Sequence, residues 1–316
     1  MKSFLNKIQI DKNIVVLGAL NMDLNIHTNR VPEVGETFEG DSFYTNPGGK
    51  AGNQAVSAIK SSKLYKKVYL ISSIGDDIFG KDLISYLSDQ TINVEYIEVK
   101  KSVSSGIAII TLLPDGQNSV NAVYGANTTF NKKQINSIKK LSKTSSILLT
   151  QQEIPLDVTF QGLKIAKDNN MITILDPSPN KIIPEKFYDY VDIITPNEIE
   201  AEYLSGISIT SLEEAKQSAE YISSLGPKNV IITLADKGSW VQSEDFVGHI
   251  KSYEVNVLAS VAAGDAFNGA LASSLSTGSS LFSSVKFASA AAALSVSRKG
   301  AQESMPYLHE IQELMN

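Results

Sequence analysis

A single carboxylate, Asp265, lies in an otherwise uncharged stretch that reads VLASVAAGDAFNGALASSL over residues 257–275. It follows Ala262, Ala263 and Gly264 and precedes a segment that reads as a helix. Small residues let a ligand approach the backbone, and the first N–H groups of a helix stabilise negative charge. Asp265 can then take a proton from a substrate hydroxyl while those N–H groups stabilise a transferring phosphoryl group. The competing interpretation is a helix N-cap, which Asp favours and which this stretch alone supports better.

Glycines, a lysine and two amides form a second candidate site. The stretch NPGGKAGNQAV places Gly49 and Lys50 before a predicted helix and Asn53 and Gln54 in its first turn. Glycine permits close approach of the backbone, while Lys50 and Asn53 offer hydrogen-bond donors. The combination suits a polyhydroxylated or anionic ligand, although two glycines before a helix often form only a turn.

Two further groups of polar residues follow predicted strands. Asp23, in the motif NMD, can accept hydrogen bonds from two vicinal hydroxyls, as a carboxylate does in sugar binding; the alternative is a solvated loop residue. Asn197 and Glu200, in TPNEIEAEYLSG, are three residues apart at a helix start, which is the spacing of a capping box. The same pair also suits Mg²⁺ held through water, because Mg²⁺ keeps most of its water ligands.

Composition and missing motifs exclude several classes of protein. The 316 residues carry 34 acidic and 28 basic side chains, a net charge of −6, no cysteine and three histidines. Disulfides and thiolate chemistry are excluded, a His-based zinc site or a Ser-His-Asp triad has little material, and a nucleic-acid partner is not expected. Neither a P-loop nor a G-x-G-x-x-G motif is present where a nucleotide-binding fold needs it. Because the first residues lack the apolar core of a signal peptide and no apolar run reaches ~18 residues, we expect a cytoplasmic protein without a membrane partner.

Strands and helices alternate along most of the chain. Apolar strands such as NIVVLGAL, KVYLISSIG and SILLTQQ are followed by helical segments such as GNQAVSAIKSS, DIFGKDLISYLSDQ and LDVTFQGLKIAKDN. This alternation predicts a three-layer α/β/α fold with a mostly parallel central sheet. No repeat or linker divides the chain, so we predict one domain over residues 1–316.

Two stretches, about 22–47 and 94–124, break this alternation. Patterns such as SGIAIITLL and SVNAVYG, with a turn at PDG, predict antiparallel strands that join into one small sheet. A small sheet that projects from an α/β body works as a lid over the carboxyl ends of the strands. A hairpin without function is the alternative.

Taken together, the motifs resemble those of the ribokinase-like, or PfkB-type, family of carbohydrate kinases over nearly the whole chain. The matching stretches, in the order of that family, are NMD, GETFEGDSF, GGKAGNQA, IGDDIFG, YGANTTF, QQEIP, DPSP, DIITPNEIEAEYLSG, AAGDAFNGAL and RKGAQESMP. The resemblance implies a ribokinase-like fold and ATP-dependent phosphorylation of D-ribose at O5, with Mg²⁺. It also implies a homodimer formed through the lid.

The resemblance further implies a role for each matching residue. Asp265 would be the general base, beside an anion hole formed by the backbone of Ala262, Ala263 and Gly264. Together with Asp265, the residues implied to hold the sugar are Asn21, Asp23, Gly49, Lys50, Asn53 and Glu153. Those implied to contact the nucleotide are Asn197, Thr233, Gly238 and Ser289, with Glu200 holding Mg²⁺ through water.

The sequence departs from the family pattern at three places. The family carries an Asp-Thr pair before the anion hole, and that Asp is a ligand for an activating monovalent cation, usually K⁺; here the aligned residues are Ala259 and Ser260. An alanine side chain cannot ligate a cation, so we expect no normal K⁺ activation.

The nucleotide turn TLGxxG reads TLADKG, and if its first glycine needs a positive φ, Ala235 costs roughly 1 kcal/mol and weakens ATP binding. GGKAGNQA also swaps the Ala and Gly of the usual GGKGANQA, while Lys50 and Asn53 keep their spacing.

Three functions remain open at this point. The first is a kinase that acts on D-ribose, and the second is a kinase for a related pentose such as 2-deoxyribose, which lacks one of the hydroxyls that Asp23 would hold. The third is a sugar- or nucleotide-binding protein with little catalysis, which the changes at Ala259 and Ala235 suggest. The presence of Asp265 argues against the third, because loss of catalysis would also release the constraint on the base.

Overall fold

The computed structural model describes residues 12–114 and 117–316. Its strands are β1 (Asn13–Leu17), β2 (Asn21–His27), β3 (Ser42–Gly48), β4 (Val68–Gly75), β5 (Ile97–Lys100), β6 (Gly106–Leu112), β7 (Asn118–Val123), β8 (Ser145–Thr150), β9 (Ile172–Leu175), β10 (Ile193–Ile194), β11 (Asn229–Thr233), β12 (Ser239–Gln242) and β13 (Val247–Ile250). Its helices are α1 (Lys50–Lys60), α2 (Ile78–Asp89), α3 (Lys132–Leu141), α4 (Leu156–Asp168), α5 (Glu185–Tyr188), α6 (Glu198–Ser205), α7 (Leu212–Ser224), α8 (Ala263–Ser276), α9 (Leu281–Val296) and α10 (Leu308–Met315).

A mostly parallel sheet forms the middle of the protein. Among the described residues it contains nine strands, in the order β13-β12-β11-β10-β9-β8-β1-β4-β5. The strands from β11 to β5 run parallel to one another, whereas β12 and β13 are antiparallel and form a hairpin at one edge. The carboxyl ends of the parallel strands therefore meet at one side of the sheet, where α/β proteins bind their ligands.

Helices cover both faces of this sheet, because successive residues of β1 are buried in two different cores. Ile14 and Val16 pack into a core with residues of α1, α2, α8 and α9. Val15 and Leu17 point the other way and pack with residues of α3 and α4. A third buried cluster continues this second layer from α4 to α6 and α7. The predicted three-layer α/β/α fold is confirmed.

The four remaining strands form a smaller sheet in the order β3-β2-β6-β7, which we call the lid. Both stretches predicted for it contribute strands, but two details of the prediction are wrong. Strands β2 and β6 pair in parallel, not antiparallel, with Asn21 opposite Gly106. Strand β5, which lies inside the stretch 94–124, pairs with β4 in the main sheet. The parallel pairing follows from the main sheet, because β2 and β6 leave the carboxyl ends of two strands, β1 and β5, that run in the same direction.

Two expectations fall partly or wholly on residues that the structure does not describe. The predicted PDG turn includes Asp115 and Gly116, and the expectation about a signal peptide concerns residues 1–11. Within residues 12–114 and 117–316, no helix combines the length and apolar character needed to cross a membrane.

Candidate active site

The site is built where the N-terminal halves of α1 and α8 pack together. The helices approach closely because residue 269 is glycine: a Cβ there would lie 2.4 Å from Ser57 Cβ and 2.5 Å from the Gln54 carbonyl oxygen. Ser57 Oγ also donates a hydrogen bond to the Ala266 carbonyl oxygen at 2.7 Å. This packing brings the amide side chains of α1 against the first turn of α8.

Asp265 is buried, and both of its carboxylate oxygens accept hydrogen bonds from α1. Asn53 Nδ2 donates to Oδ2 at 2.9 Å, and Gln54 Nε2 donates to Oδ1 at 2.9 Å. The N-cap of α8 is Ala262, and no side chain caps this helix. The interpretation of Asp265 as an N-cap is therefore wrong. Its carboxylate is oriented by two amides and keeps acceptor capacity for a further donor.

The backbone at the start of α8 leaves space beside this carboxylate. Ala262 has a φ of 60°, so the chain turns sharply before the helix begins. Gly264 is exposed, and a Cβ at this position would meet no other atom within 4 Å. Because the first N–H groups of a helix have no acceptor within the helix, those around Gly264 suit an anionic ligand.

Lys50 contacts three carboxylates, of which Asp265 is one. Its Nζ lies 3.4 Å from Asp176 Oδ2 and 3.6 Å from Asp265 Oδ1, while its backbone N–H donates to Glu153 Oε2 at 2.8 Å. Burial lowers the pKa of Lys50, but the surrounding carboxylates outweigh burial and raise it, so the ammonium stays charged. Burial also raises the pKa of Glu153, and it raises the pKa of Asp176 to about 7.

The carboxylate of Asp23, in the lid strand β2, lies against a glycine that the geometry requires. A Cβ at residue 48 would lie 2.3 Å from Asp23 Oδ2. Burial raises the pKa of Asp23 to about 7, and the negative charges of Glu153 and Asp265 add to this effect. Hydroxyl groups that donate hydrogen bonds to Asp23 would stabilise its charged form.

Asn21 and Gly49 lie near Asp23, and their neighbours fix them in place. Asn21 Oδ1 accepts a hydrogen bond from Asn127 Nδ2 at 2.9 Å. Asn127 also bonds to both backbone groups of Leu20, each at 2.9 Å. Gly49 has a φ of 83°, and a Cβ there would lie 2.6 Å from the Asn21 backbone nitrogen. The predicted sugar-binding residues are therefore brought together near Asp265.

Three of the residues predicted to contact a nucleotide lie at strand ends. Asn197, after β10, pairs with Thr233 of β11 in an isolated parallel bridge. Gly238 has a φ of 99°, and a Cβ there would lie 2.1 Å from the Ile250 carbonyl oxygen, so the turn before β12 requires glycine. Ser289, the fourth of these residues, is buried in α9.

Asn197 and Glu200 form the capping box that their spacing indicates. Asn197 Oδ1 accepts from the Glu200 N–H, and Glu200 Oε2 accepts from the Asn197 N–H, both at 2.9 Å. Across the described ranges, no group of three or more Asp, Glu, His or Cys side chains could hold a metal ion directly. The second carboxylate oxygen of Glu200, which takes no part in the capping box, fits a water molecule of hydrated Mg²⁺.

Ala235 has a φ of 48°. This position of the TLADKG turn therefore does need a positive φ, and alanine is strained there. We expect Ala235→Gly to raise the free energy of unfolding by about 0.5–1 kcal/mol, since glycine adopts this φ without steric cost. We also expect it to lower the KM for ATP. Denaturant unfolding and initial rates measure the two effects. As a control, Ala215→Gly in the regular helix α7 should destabilise the protein, and an Ala235→Gly protein no more stable than the original would contradict the prediction.

Three further buried polar residues join the site: Gln54, which was placed in the second candidate site without a specific contact, and Asp176 and Asn127, for which no role was predicted. Each lies inside a motif that the sequence analysis quotes, in GGKAGNQA, DPSP and YGANTTF respectively. The feature of the sequence that could have indicated such residues is a polar side chain at the end of an apolar strand or on the apolar face of a helix. Their partners could not be inferred because the contacting residues are distant in the chain, as with Gln54 and Asp176.

Known proteins are similar to this chain over almost its full length. The sequence model of the "pfkB family carbohydrate kinase" matches residues 11–308. Ribokinase of Haemophilus influenzae is 34% identical over 304 residues, which cover 96% of this chain and 98% of that protein. Deoxyribokinase of Salmonella typhi is 30% identical over 305 residues, with 96% and 99% covered. The structure of Arabidopsis thaliana ribokinase complexed with ribose and ATP is 30% identical, covers 97% of this chain and 99% of that chain, and has a TM-score of 0.88.

Proposed function

Because the chain belongs to the pfkB family of carbohydrate kinases, we propose that it transfers a phosphoryl group from ATP to O5 of D-ribose. The chain is a sugar phosphotransferase, and the similar ribokinase structure with ribose and ATP supports these two substrates. The observation that carries the proposal is the geometry at Asp265. A buried carboxylate is oriented by two amides and lies in the first turn of α8, directly after Gly264, where the backbone is open.

The lid strand β2 and the start of α1 would hold the sugar. Asp23 can accept hydrogen bonds from two vicinal hydroxyls, and these donors would stabilise its charged form. The other proposed sugar contacts are Asn21, Gly49, Lys50, Asn53 and Glu153. Their positions around Asp265 support this role. When Asp23 binds the vicinal hydroxyls at one end of the sugar, the primary hydroxyl at the other end lies near Asp265, the proposed base.

Asp265 would take the proton of the primary hydroxyl as the hydroxyl oxygen bonds to the γ-phosphorus of ATP and the bond from that phosphorus to ADP breaks, which releases ADP. The N–H groups around Gly264 and the positive end of α8 stabilise the negative charge on the transferring group. Lys50 stays charged beside the carboxylates of Asp176 and Asp265 and reduces the repulsion between them. Asn197, Thr233, Gly238 and Ser289 are the proposed nucleotide contacts. Mg²⁺, held by Glu200 through water, would neutralise charge on the phosphates.

A second candidate substrate is 2-deoxyribose, because the deoxyribokinase of Salmonella typhi is 30% identical over almost the whole chain. ADP formation with D-ribose and with 2-deoxy-D-ribose distinguishes the two. If Asp23 holds both vicinal hydroxyls, kcat/KM for ribose should be at least about a hundredfold higher, since the deoxy sugar leaves a charged acceptor short of one donor. Equal or higher kcat/KM for 2-deoxyribose would transfer the proposal to that sugar.

We still predict that K⁺ does not activate this enzyme. The Ala259 N–H donates to the Val296 carbonyl oxygen at 3.1 Å, and its methyl side chain offers no ligand, so position 259 does not fit the cation site that the family implies. We expect rates that stay nearly constant as K⁺ replaces tetramethylammonium at fixed ionic strength. Ala259→Asp should introduce a K⁺ response, and Ala259→Asn, which lacks the charge, should introduce less. Strong K⁺ activation of the unmodified enzyme would contradict this.

We also propose a homodimer formed through the lid. Strand β7 is exposed along its whole length, and the lid exposes Phe43, Val120 and Val123, which a partner chain would cover. Sedimentation equilibrium should give twice the mass of one chain, and Phe43→Asp should give monomers. Ile182→Asp, at an exposed apolar residue outside the lid, is the control and should stay dimeric. A monomeric unmodified protein would exclude the dimer.

The single domain over residues 1–316 and the cytoplasmic location stay predictions.

A further inference from the structure

Gln54, Asp176 and Gln151 form a buried hydrogen-bonded network with Asp265, and none of these three residues has a role in the proposed reaction. Gln54 is fully buried, and its Nε2 donates to Asp265 Oδ1 at 2.9 Å and to Asp176 Oδ2 at 2.8 Å. Because carboxylates only accept, both amide hydrogens of Gln54 are used, one on each carboxylate. Its Oε1 accepts a hydrogen bond from Gln151 Nε2, which fixes the orientation of the amide.

The same two carboxylate oxygens also share Lys50. Its Nζ is 3.4 Å from Asp176 Oδ2 and 3.6 Å from Asp265 Oδ1. Asp265 and Asp176 thus divide one ammonium and one amide between them. Asp176 is only 3% exposed and follows β9, so it faces this network and not solvent.

From this arrangement we infer that Asp176 and Gln54 are positioning residues for phosphoryl transfer. Asp176 attracts the ammonium of Lys50 and accepts the second amide hydrogen of Gln54, and so keeps the ammonium from moving closer to Asp265 Oδ1. Without Asp176, the ammonium has its nearest carboxylate at Asp265 and competes with the substrate hydroxyl for that oxygen. The inference rests on the proposed role of Asp265 as the base.

Titration of Asp176 makes the inference measurable. Burial raises the pKa of Asp176 to about 7; Lys50 of α1 opposes this, and Glu200 of α6 and Asp265 of α8 add to it. Protonated Asp176 binds Lys50 less strongly than the carboxylate does. We therefore expect kcat at saturating sugar and ATP to rise as the pH increases from 6 to 8.

Asp176→Asn imitates the protonated form at every pH. We expect its kcat at pH 8 to fall about tenfold to a hundredfold, with a smaller change in KM for the sugar, since misplaced catalytic groups cost rates of this order. The rise between pH 6 and 8 should disappear. Gln54→Met, which keeps the volume but removes both hydrogen bonds, should lower kcat in the same way.

The control is Asp192→Asn, which also removes a buried carboxylate paired with a lysine, Lys167, but outside the site. It should lower the melting temperature and leave kcat and its pH dependence unchanged. An Asp176→Asn enzyme with the original kcat, or with a raised KM and unchanged kcat, would overturn the inference. If that variant does not fold, a kcat of the unmodified enzyme that is flat from pH 6 to 8 overturns it. Turnover that survives Asp265→Asn would instead refute the proposed base.

Discussion

Asp265→Asn is expected to lower kcat by about three to four orders of magnitude, the contribution of a well-placed general base to a proton transfer. The substitution keeps the shape of the side chain but removes its ability to accept the proton of the sugar hydroxyl. The backbone N–H groups around Gly264 remain, so a residual rate above the uncatalysed reaction should persist. Initial rates of ADP formation at saturating sugar and ATP measure the effect.

The loss must be separated from loss of structure. In the variant, one nitrogen would face the amide hydrogens of Asn53 or Gln54, so a moderate decrease in melting temperature is expected. Asp192→Asn supplies the control of a similarly buried carboxylate far from the reaction. If Asp265→Asn folds and keeps kcat within about tenfold of the original, Asp265 is not the base, because general-base catalysis contributes more than this.

Asp23→Asn is expected to raise the KM for the sugar at pH 8 by at least about a hundredfold, with a smaller effect on kcat. Hydrogen bonds to a charged acceptor contribute about 1.5–3 kcal/mol each, and the variant loses the charge that two hydroxyls would share. Asp41→Asn, at an exposed residue just before β3, is the matched control and should change neither constant. A KM for the sugar unchanged by Asp23→Asn would show that Asp23 does not bind it.

The same variant should be more stable than the unmodified protein at pH 8. Chiefly burial raises the pKa of Asp23 from its ordinary value of 3.8 to about 7, so its charge opposes folding. The stability associated with Asp23 is therefore complete below pH 4 and is lost as the pH rises through about 7. Thermal unfolding should show that the gain of Asp23→Asn is large at pH 8 and vanishes near pH 4. A lower melting temperature of the variant at pH 8 would contradict this.

The main sheet and the centre of the site could be predicted because their signals are local. The apolar runs that became β1, β4 and β8 indicate buried parallel strands, and AAGD before a helical segment marks the proposed base. Helices α3 and α7 were not predicted, although their capping boxes at Asn131–Gln134 and Ser211–Glu214 are visible in the sequence.

The remaining features depend on residues that are far apart in the chain. Alternation of apolar and polar residues shows that β2 and β6 are strands, but it does not show which strand is the neighbour or in which direction it runs. Nothing in the motif DPSP indicates the partner of Asp176, because the Gln54 amide that lies 2.8 Å from its carboxylate is distant in the chain. Such contacts arise from tertiary packing and have no periodic pattern in the sequence.

The position of the phosphate on the product tests the central claim most directly. The enzyme would be incubated with ATP, Mg²⁺ and D-ribose, beside the Asp265→Asn variant, and the products examined by phosphorus NMR with proton coupling. The account predicts a ribose-dependent phosphate ester coupled to the two protons of the CH₂ at carbon 5, absent from the variant over the same time. A phosphate on a ring carbon, or ATP consumption that does not depend on a sugar, would contradict it.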